Sequence, residues 1–412
     1  MEGFFTRQQT QSKTRPDGKS YSCSACGLAK DCLNPRMQPF GNFKKKILNI
    51  GEAPGEFEDK HGKPWQGKAG KLLQRTYEKL GIDLFEDCLN INSVNCRPMD
   101  KDGQNRAPSN FEVECCRKSI LQTIDKYKPH LIILLGNAAI YSLIGHRWKK
   151  DLGGITKWRG WTIPDQDFNA WLCPTFHPSF IERSNDKQGK PVEETIWEDD
   201  LRQAFELKKI PVPLYKEPKI EIIEDLSVLD TIQNEVAFDY ETTGLKPQMS
   251  GHKIICCSVA TSEDHAYVFM MPPTKRQRMP LINLLQNPKI GKIAQNMKYE
   301  HEWSYVRLSV EVVSWAWDTM LVTHILDNRP GVTGLKFQVY VQFGVVDYSS
   351  EISPWLMAVD SKNANAINKI EQLLEKNNGP EKLMKYCGLD SINEYRLCKK
   401  QKELIYKDCL PF

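Results

Sequence analysis

The chain has 412 residues, 40% hydrophobic and 26% charged, with a formal net charge of +4. That length exceeds one ordinary core and implies two or three domains, of which the motifs favour two, and the composition is that of a soluble globular protein. No apolar run approaches the ~20 residues of a membrane span, and the start, Met1-Glu-Gly-Phe-Phe-Thr-Arg7, lacks a secretory signal, so the protein is expected to stay inside the cell.

Residues 1 to about 20 are polar and read as a flexible tail. From Lys46 short apolar runs alternate with helical stretches: Ile47–Ile50, a helix over about Gly70–Leu80, Leu89–Val94, a helix near Phe111–Tyr127, Leu131–Leu135, and Trp171–Cys173. This alternation predicts a largely parallel sheet covered on both faces, with ligands gathered at the C-terminal strand ends. A helix over Glu193–Lys209 leads into Ile210-Pro-Val-Pro-Leu-Tyr-Lys-Glu-Pro218, whose three prolines mark a linker over 210–219 between domains 21–209 and 220–412. Beyond it, Glu235–Phe238, Ile254–Val259 and His265–Phe269 follow closely and predict an antiparallel start to a second sheet, with helices after it and a last one near Pro380–Glu403.

Thirteen cysteines in a large intracellular chain read as metal ligands or buried thiols, and the odd count argues against complete pairing. With so small a net charge, nucleic-acid binding must rest on local clusters such as Lys44–Lys46, Arg147-Trp-Lys-Lys150 and Lys275-Arg-Gln-Arg278, each of which alone reads as a solvated face.

The stretch Gly51-Glu-Ala-Pro-Gly-Glu-Phe-Glu-Asp59, continuing through Trp65 to Leu73, is followed in order by Ile91-Asn92-Ser-Val-Asn-Cys96-Arg-Pro, Lys157-Trp-Arg-Gly160 and His177-Pro-Ser179. Over about residues 21–205 this series resembles the family 4 uracil-DNA glycosylases. The resemblance implies a three-layer α/β/α glycosylase fold and uracil excision. Gly51 and Gly55 let the backbone approach phosphate and uracil. Trp65, where the family usually has Phe, offers a flat surface to a flipped base, and Asn92 bonds the uracil edge. His177 stabilises the leaving anion, and Glu52 and Glu58 are the carboxylates that orient water or stabilise the sugar, their roles not separated. The same resemblance puts a 4Fe-4S cluster on Cys23, Cys26, Cys96 and Cys116. Softness alone suits zinc equally. Cys32 and Cys115 stand as alternative ligands, with Cys116 preferred because Asn105-Arg-Ala-Pro108 and Glu112 set the register. The loop Met99–Gln104 is longer than usual and lacks the histidine of a uracil-trapping sister family.

In the C-terminal half, Asp239-Tyr-Glu241 places two carboxylates on one side of a strand, where both can reach a divalent-metal pair. With Asn296-Met-Lys-Tyr-Glu300, Tyr386-Cys-Gly-Leu-Asp390 and Gly334-Leu-Lys-Phe-Gln338, it resembles the DEDD 3′→5′ exonucleases of family A DNA polymerases, phage ones most closely, over about residues 220–405. This implies a ribonuclease-H-like α/β fold with a mixed sheet and two Mg2+ or Mn2+ ions on Asp239, Glu241, Glu300 and Asp390. Tyr386 orients the attacking water. Glu300 stands where the family has Asp, and Asp318 reads as structural. The whole is expected to be a replication-repair factor of a bacterial cytoplasm, phage-encoded sources included, acting on single strands, 3′ ends and uracil-containing DNA beside a polymerase on another chain. Two other readings stand: a glycosylase-fold module that only binds DNA or senses uracil, and an inactive scaffold for a polymerase.

Overall fold

The computed structural model describes residues 20–148, 150–185, 192–346, 348–358, 360 and 365–408, so nearly all of the expected tail lies outside the described residues. The chain divides into two compact units, Met1–Leu214 with Tyr340–Val346, and Tyr215–Val339 with Asp347–Phe412.

The N-terminal unit is built on β1 (Ile47–Gly51), β2 (Cys88–Asn92), β3 (Leu131–Leu135), β4 (Ile163–Asp165) and β5 (Ala170–Thr175), in the order β2-β1-β3-β5-β4. Four strands are parallel; β4 runs antiparallel along β5 at the edge. Every residue of β1, β2, β3 and β5 is buried, which is why they read as apolar runs: parallel strands are covered on both faces. The edge strand Ile163-Pro-Asp165 has no such run and tolerates its proline only because it is an edge.

Around this sheet lie α1 (Glu56–His61), α2 (Lys68–Lys79), α3 (Asn110–Tyr127), α4 (Pro178–Asn185) and α5 (Val192–Glu206). The start of α3 is a capping box: Ser109 Oγ accepts from the Glu112 N–H at 3.3 Å, and the Glu112 carboxylate accepts from the Ser109 N–H at 2.7 Å. The expected helix to Lys209 ends at Glu206 and tightens into a 3-10 turn, Leu207–Lys209, after which residues 210–218 carry neither helix nor strand.

The C-terminal unit has β6 (Lys219–Ile222), β7 (Val236–Thr242), β8 (Ile254–Ala260), β9 (His265–Met270), β10 (Lys292–Ala294) and β11 (Trp315–Asp318), in the order β11-β10-β7-β8-β9-β6. The consecutive strands β7, β8 and β9 are antiparallel, β10 joins β7 in parallel, β11 follows β10, and β6 lies parallel to β9 at the far edge. An antiparallel triplet with parallel strands added beside its first member is the ribonuclease-H-like arrangement, confirming the expected mixed sheet.

Three helices position the site here: α6 (Met297–Trp303), the start of α7 (Leu335–Phe343) as far as Val339, and the long α8 (Gly379–Asp408). Helix α8 packs on β7, β8 and β9. The approach is close at Gly388, where a Cβ would lie 2.8 Å from Val268 and 2.9 Å from Ile220, so the glycine between Tyr386 and Asp390 sets the height of both above the sheet. Among the described residues no helix is long and apolar enough to cross a membrane.

Candidate active sites

In the N-terminal unit the β1–β2 register pairs Gly51 with Asn92, bringing the two strand ends side by side. A Cβ on Gly51 would lie 2.4 Å from Asn92 Oδ1 and 3.0 Å from the Trp65 indole, so only glycine lets these three meet. Asn92 is 5% exposed, and its carboxamide has no side-chain hydrogen-bond partner among the described residues, leaving a donor and an acceptor for a ligand. Trp65 is 8% exposed and sits in the core cluster with a left-handed backbone, φ 63°, an outlying conformation for a bulky residue. Its indole N–H donates to Asn90 Oδ1 at 3.1 Å. That oxygen also accepts from Asn49 Nδ2 at 2.9 Å, while Tyr77 donates to Asn49 Oδ1 at 2.8 Å. This buried Asn49–Asn90–Tyr77 network fixes the indole, and sequence reasoning did not single it out.

His177 follows β5, with its ring centroid 5.6 Å from that of Trp65. Burial, then the charge of Arg183, pushes its pKa down to about 4, so the imidazole is neutral near pH 7. Nδ1 accepts the Ser179 N–H at 3.2 Å and lies 2.7 Å from Ser179 Oγ, which assigns the ring proton to Nε2. A neutral imidazole with Nε2–H is a hydrogen-bond donor for a developing anion. Glu52, beside Gly51, is raised above the usual carboxylate range by burial, with Arg183 opposing. Glu58 is engaged differently: it accepts from the Gly55 N–H at 3.1 Å and from the Gln66 and Gly67 N–H groups, both at 2.9 Å. These bonds tie the glycine loop to the segment carrying Trp65.

The expected cluster ligands come from three segments: Cys23 and Cys26 from a short helix, Cys96 from the turn after β2, and Cys116 from α3. Burial pushes the metal-free Cys116 thiol up to about 12, and Cys96, Cys26 and Cys23 are close enough to add to the rise. The thiols differ in the bonds they make. Cys96 Sγ accepts the Arg36 N–H at 3.3 Å and Cys116 Sγ accepts the Asn95 N–H at 3.3 Å, as suits thiolates holding a metal. Cys32 Sγ lies 3.1 Å from the Leu28 carbonyl and 3.6 Å from that of Arg97, and is also beside Cys96. Arg106 forms a fork with Glu112 at 2.9 and 2.6 Å, anchoring the long loop to the start of α3. The set therefore fits a thiolate-bound cluster.

In the C-terminal unit, ligand atoms of Asp239, Glu241 and Cys387 all lie within 4.8 Å of one another. Glu300 and Asp390 are 2% and 6% exposed. A fifth carboxylate, Glu394, one turn beyond Asp390 on α8, is 1% exposed. Buried oxygens Oε2 of both Glu300 and Glu394 have no hydrogen-bond partner among the described residues. Burial and the neighbouring carboxylates push Asp239, Glu241, Glu300 and Glu394 well above their usual range. Such a collection of unpaired acids calls for cations, so the residues fit divalent metal binding. One fixed cation is already there: Lys336 on α7 pairs with Asp390 and lies 4.3 Å over the Tyr348 ring and 4.4 Å over that of Tyr386. Tyr348 donates to Asp390 Oδ1 at 2.5 Å. Asp318 accepts four backbone N–H groups, from Asn296, Met297, Met320 and Leu321, which is a structural role.

A profile of the uracil DNA glycosylase superfamily matches residues 38–200, and one of a 3'-5' exonuclease matches residues 219–405. The type-4 uracil-DNA glycosylase of Saccharolobus solfataricus is 34% identical over 197 residues, covering 47% of this chain and 85% of that protein. Its counterpart in Thermotoga maritima is 35% identical over 166 residues, 40% of this chain and 81% of that protein. The chain thus belongs to the type-4 uracil-DNA glycosylase family through its N-terminal half, and carries an exonuclease domain of the DNA polymerase A type in its C-terminal half. A DNA polymerase of Bacillus phage SP01 is 24% identical over 342 residues, 74% of this chain and 35% of that protein. That match extends beyond the exonuclease segment into the N-terminal half.

Proposed function

We propose that the N-terminal unit excises uracil from DNA and the C-terminal unit removes nucleotides from 3′ ends, serving a family A polymerase supplied by another chain. The observation that carries the first activity is the neutral His177, its Nε2–H available, beside the buried and unpartnered Asn92 carboxamide. Asn92 reads the uracil edge with one donor and one acceptor, and Trp65 and Gly51 shape the floor of the pocket. The Nε2–H of His177 donates to the uracil carbonyl as charge develops there, which lowers the barrier to departure. Glu52 orients water towards the sugar, with Arg183 balancing its charge, while Glu58 acts by holding Gly55, Gln66 and Gly67 in place. Cys23, Cys26, Cys96 and Cys116 would hold the 4Fe-4S cluster, whose part is to join three chain segments around the glycine loop.

For the second activity, Asp239, Glu241, Glu300 and Asp390 would hold two Mg2+ or Mn2+ ions. When bound, they supply water activation and charge neutralisation at the scissile phosphate. Tyr386 orients the water, and Lys336 neutralises Asp390 and holds the two tyrosine rings. A polymerase partner is supported by the phage polymerase, which shares both halves of this chain and extends well beyond them. A uracil-sensing module without turnover is the second reading, favoured by the nearly complete burial of Trp65.

The test is the purified protein on 5′-labelled uracil-containing DNA, with Mg2+ or with a chelator. Abasic sites are expected in both conditions and shortening from the 3′ end only with Mg2+. Shortening without abasic product would select the sensing module; neither product would overturn both assignments.

A further inference from the structure

A cleft of about 790 Å3 in the N-terminal unit lies away from Gly51, Asn92 and His177. Its walls come from the residues just before β1, just before β3 and just before β5, with the 3-10 turn Leu207–Lys209. Since β1, β3 and β5 are parallel, the cleft sits at the N-terminal ends of strands whose C-terminal ends form the uracil site. Six lysines line it: Lys44, Lys45, Lys46, Lys128, Lys208 and Lys209. No carboxylate is among the lining residues. Lys44 and Lys45 pair with Glu86 and Asp87 at 2.5 and 2.7 Å, and Lys128 with Asp125. Lys46, Lys208 and Lys209 have no acidic partner among the described residues.

Two of these lysines are also conformationally costly. Lys46 has φ 54° and Lys128 φ 49°, with Asn169 of the same cleft at φ 48°. A lysine is disfavoured in the left-handed region, so glycine would serve stability better at both positions. Lys128 takes this backbone as the C-cap of α3, its N–H donating to the Ile124 carbonyl, whereas Lys46 takes it immediately before β1. The cationic lining is all lysine: mobile point charges that attract a polyanion without fixing its geometry, which suits phosphodiesters met without regard to sequence.

We propose that this cleft binds the sugar-phosphate backbone of a DNA strand, as a binding surface of the glycosylase unit separate from the base-reading site. The choice of DNA over another polyanion rests on the proposed function; the cleft itself does not.

The experiment uses the full chain, a fluorescein-labelled single strand without uracil, and EDTA to suppress degradation. Anisotropy is measured across a KCl series. Lys46→Gly with Lys128→Gly suits the left-handed backbone, so this variant should unfold at the same temperature as wild type or higher. It should bind the strand about tenfold more weakly, with the log–log salt slope smaller by ~1.4, since each phosphate that a lysine neutralises on a single strand adds ~0.7 to that slope. Lys208→Glu with Lys209→Glu should weaken binding further. Uracil excision from a short oligonucleotide at saturating enzyme should stay at the wild-type rate, so failure of the cleft and failure of the uracil site are read separately. Unchanged affinity and slope in both folded variants would overturn the proposal. Displacement of the strand by inorganic tripolyphosphate at far lower phosphate concentration than by unlabelled DNA would overturn the strand assignment in favour of a free polyphosphate.

Discussion

Glu394→Gln isolates the carboxylate that the exonuclease motifs do not name. Without metal, burial and the charges of Asp239, Glu300 and Asp390 keep Glu394 protonated well above the usual range. The unfolded chain gives up that proton from about pH 4.3, whereas the folded protein keeps it. Stability is therefore fullest below the unfolded pKa and falls as pH rises towards the folded one, by about 1.4 kcal/mol per pH unit for each such group. Glutamine keeps the shape and cannot titrate. For a unit of this size 1 kcal/mol corresponds to roughly 2–4 °C. Calorimetry in EDTA at rising pH above about 4.3 should thus show the transition temperature of wild type falling faster than that of the variant, by up to ~3–6 °C per pH unit. Adding Mn2+ at pH 7 should raise the wild-type transition and flatten its pH dependence. Parallel pH curves for the two proteins in EDTA would refute the placement of an unpaired acid at the metal site.

Replacing His177 with Ala should slow uracil excision by ~100-fold with the fold retained, as for loss of an oxyanion donor. Because the His177 pKa lies near 4, the wild-type single-turnover rate should carry no inflection near pH 6.5, and one there would contradict the neutral-imidazole assignment. Gly51→Ala places a Cβ 2.4 Å from Asn92 Oδ1; it should cost ~1–3 kcal/mol of stability and most of the excision activity. Cys116→Ser should lose iron on anaerobic purification whereas Cys32→Ser should retain it, measured by metal analysis; the reverse would move the ligand set to Cys32.

The readable parts of the fold were those whose burial leaves a continuous apolar run, such as Ile47–Ile50 and Leu131–Leu135. Gly51, Asn92 and His177 were legible because they terminate or follow such strands. Strand β4 was not, since three residues with a proline carry no periodicity. Trp65 was legible as an aromatic near the site, but its left-handed backbone and its bond to Asn90 depend on how β1, β2 and α2 pack together. Asn49 and Asn90 look like ordinary polar positions until Tyr77 and the indole are brought to them. Glu58 reads as a second catalytic carboxylate in sequence; only the fold reveals three backbone donors around it. Glu394 did leave a signal, an acid four residues after Asp390, but a polar residue on a long helix ordinarily faces water. Lys336 lay within a recognised motif, and its pairing with Asp390 required α7 and α8 to be placed.

Uracil excision by this protein is tested by counting the free base. Full-length protein is incubated in EDTA with a single- and a double-stranded oligonucleotide carrying one uracil, and the released base is quantified by mass spectrometry beside Asn92→Asp. Wild type should release near-stoichiometric free uracil and leave an unshortened strand bearing an abasic site, at a rate at least ~10-fold higher than Asn92→Asp, which loses the amide donor. No free uracil from either substrate, with the iron present and the protein folded, would contradict uracil excision.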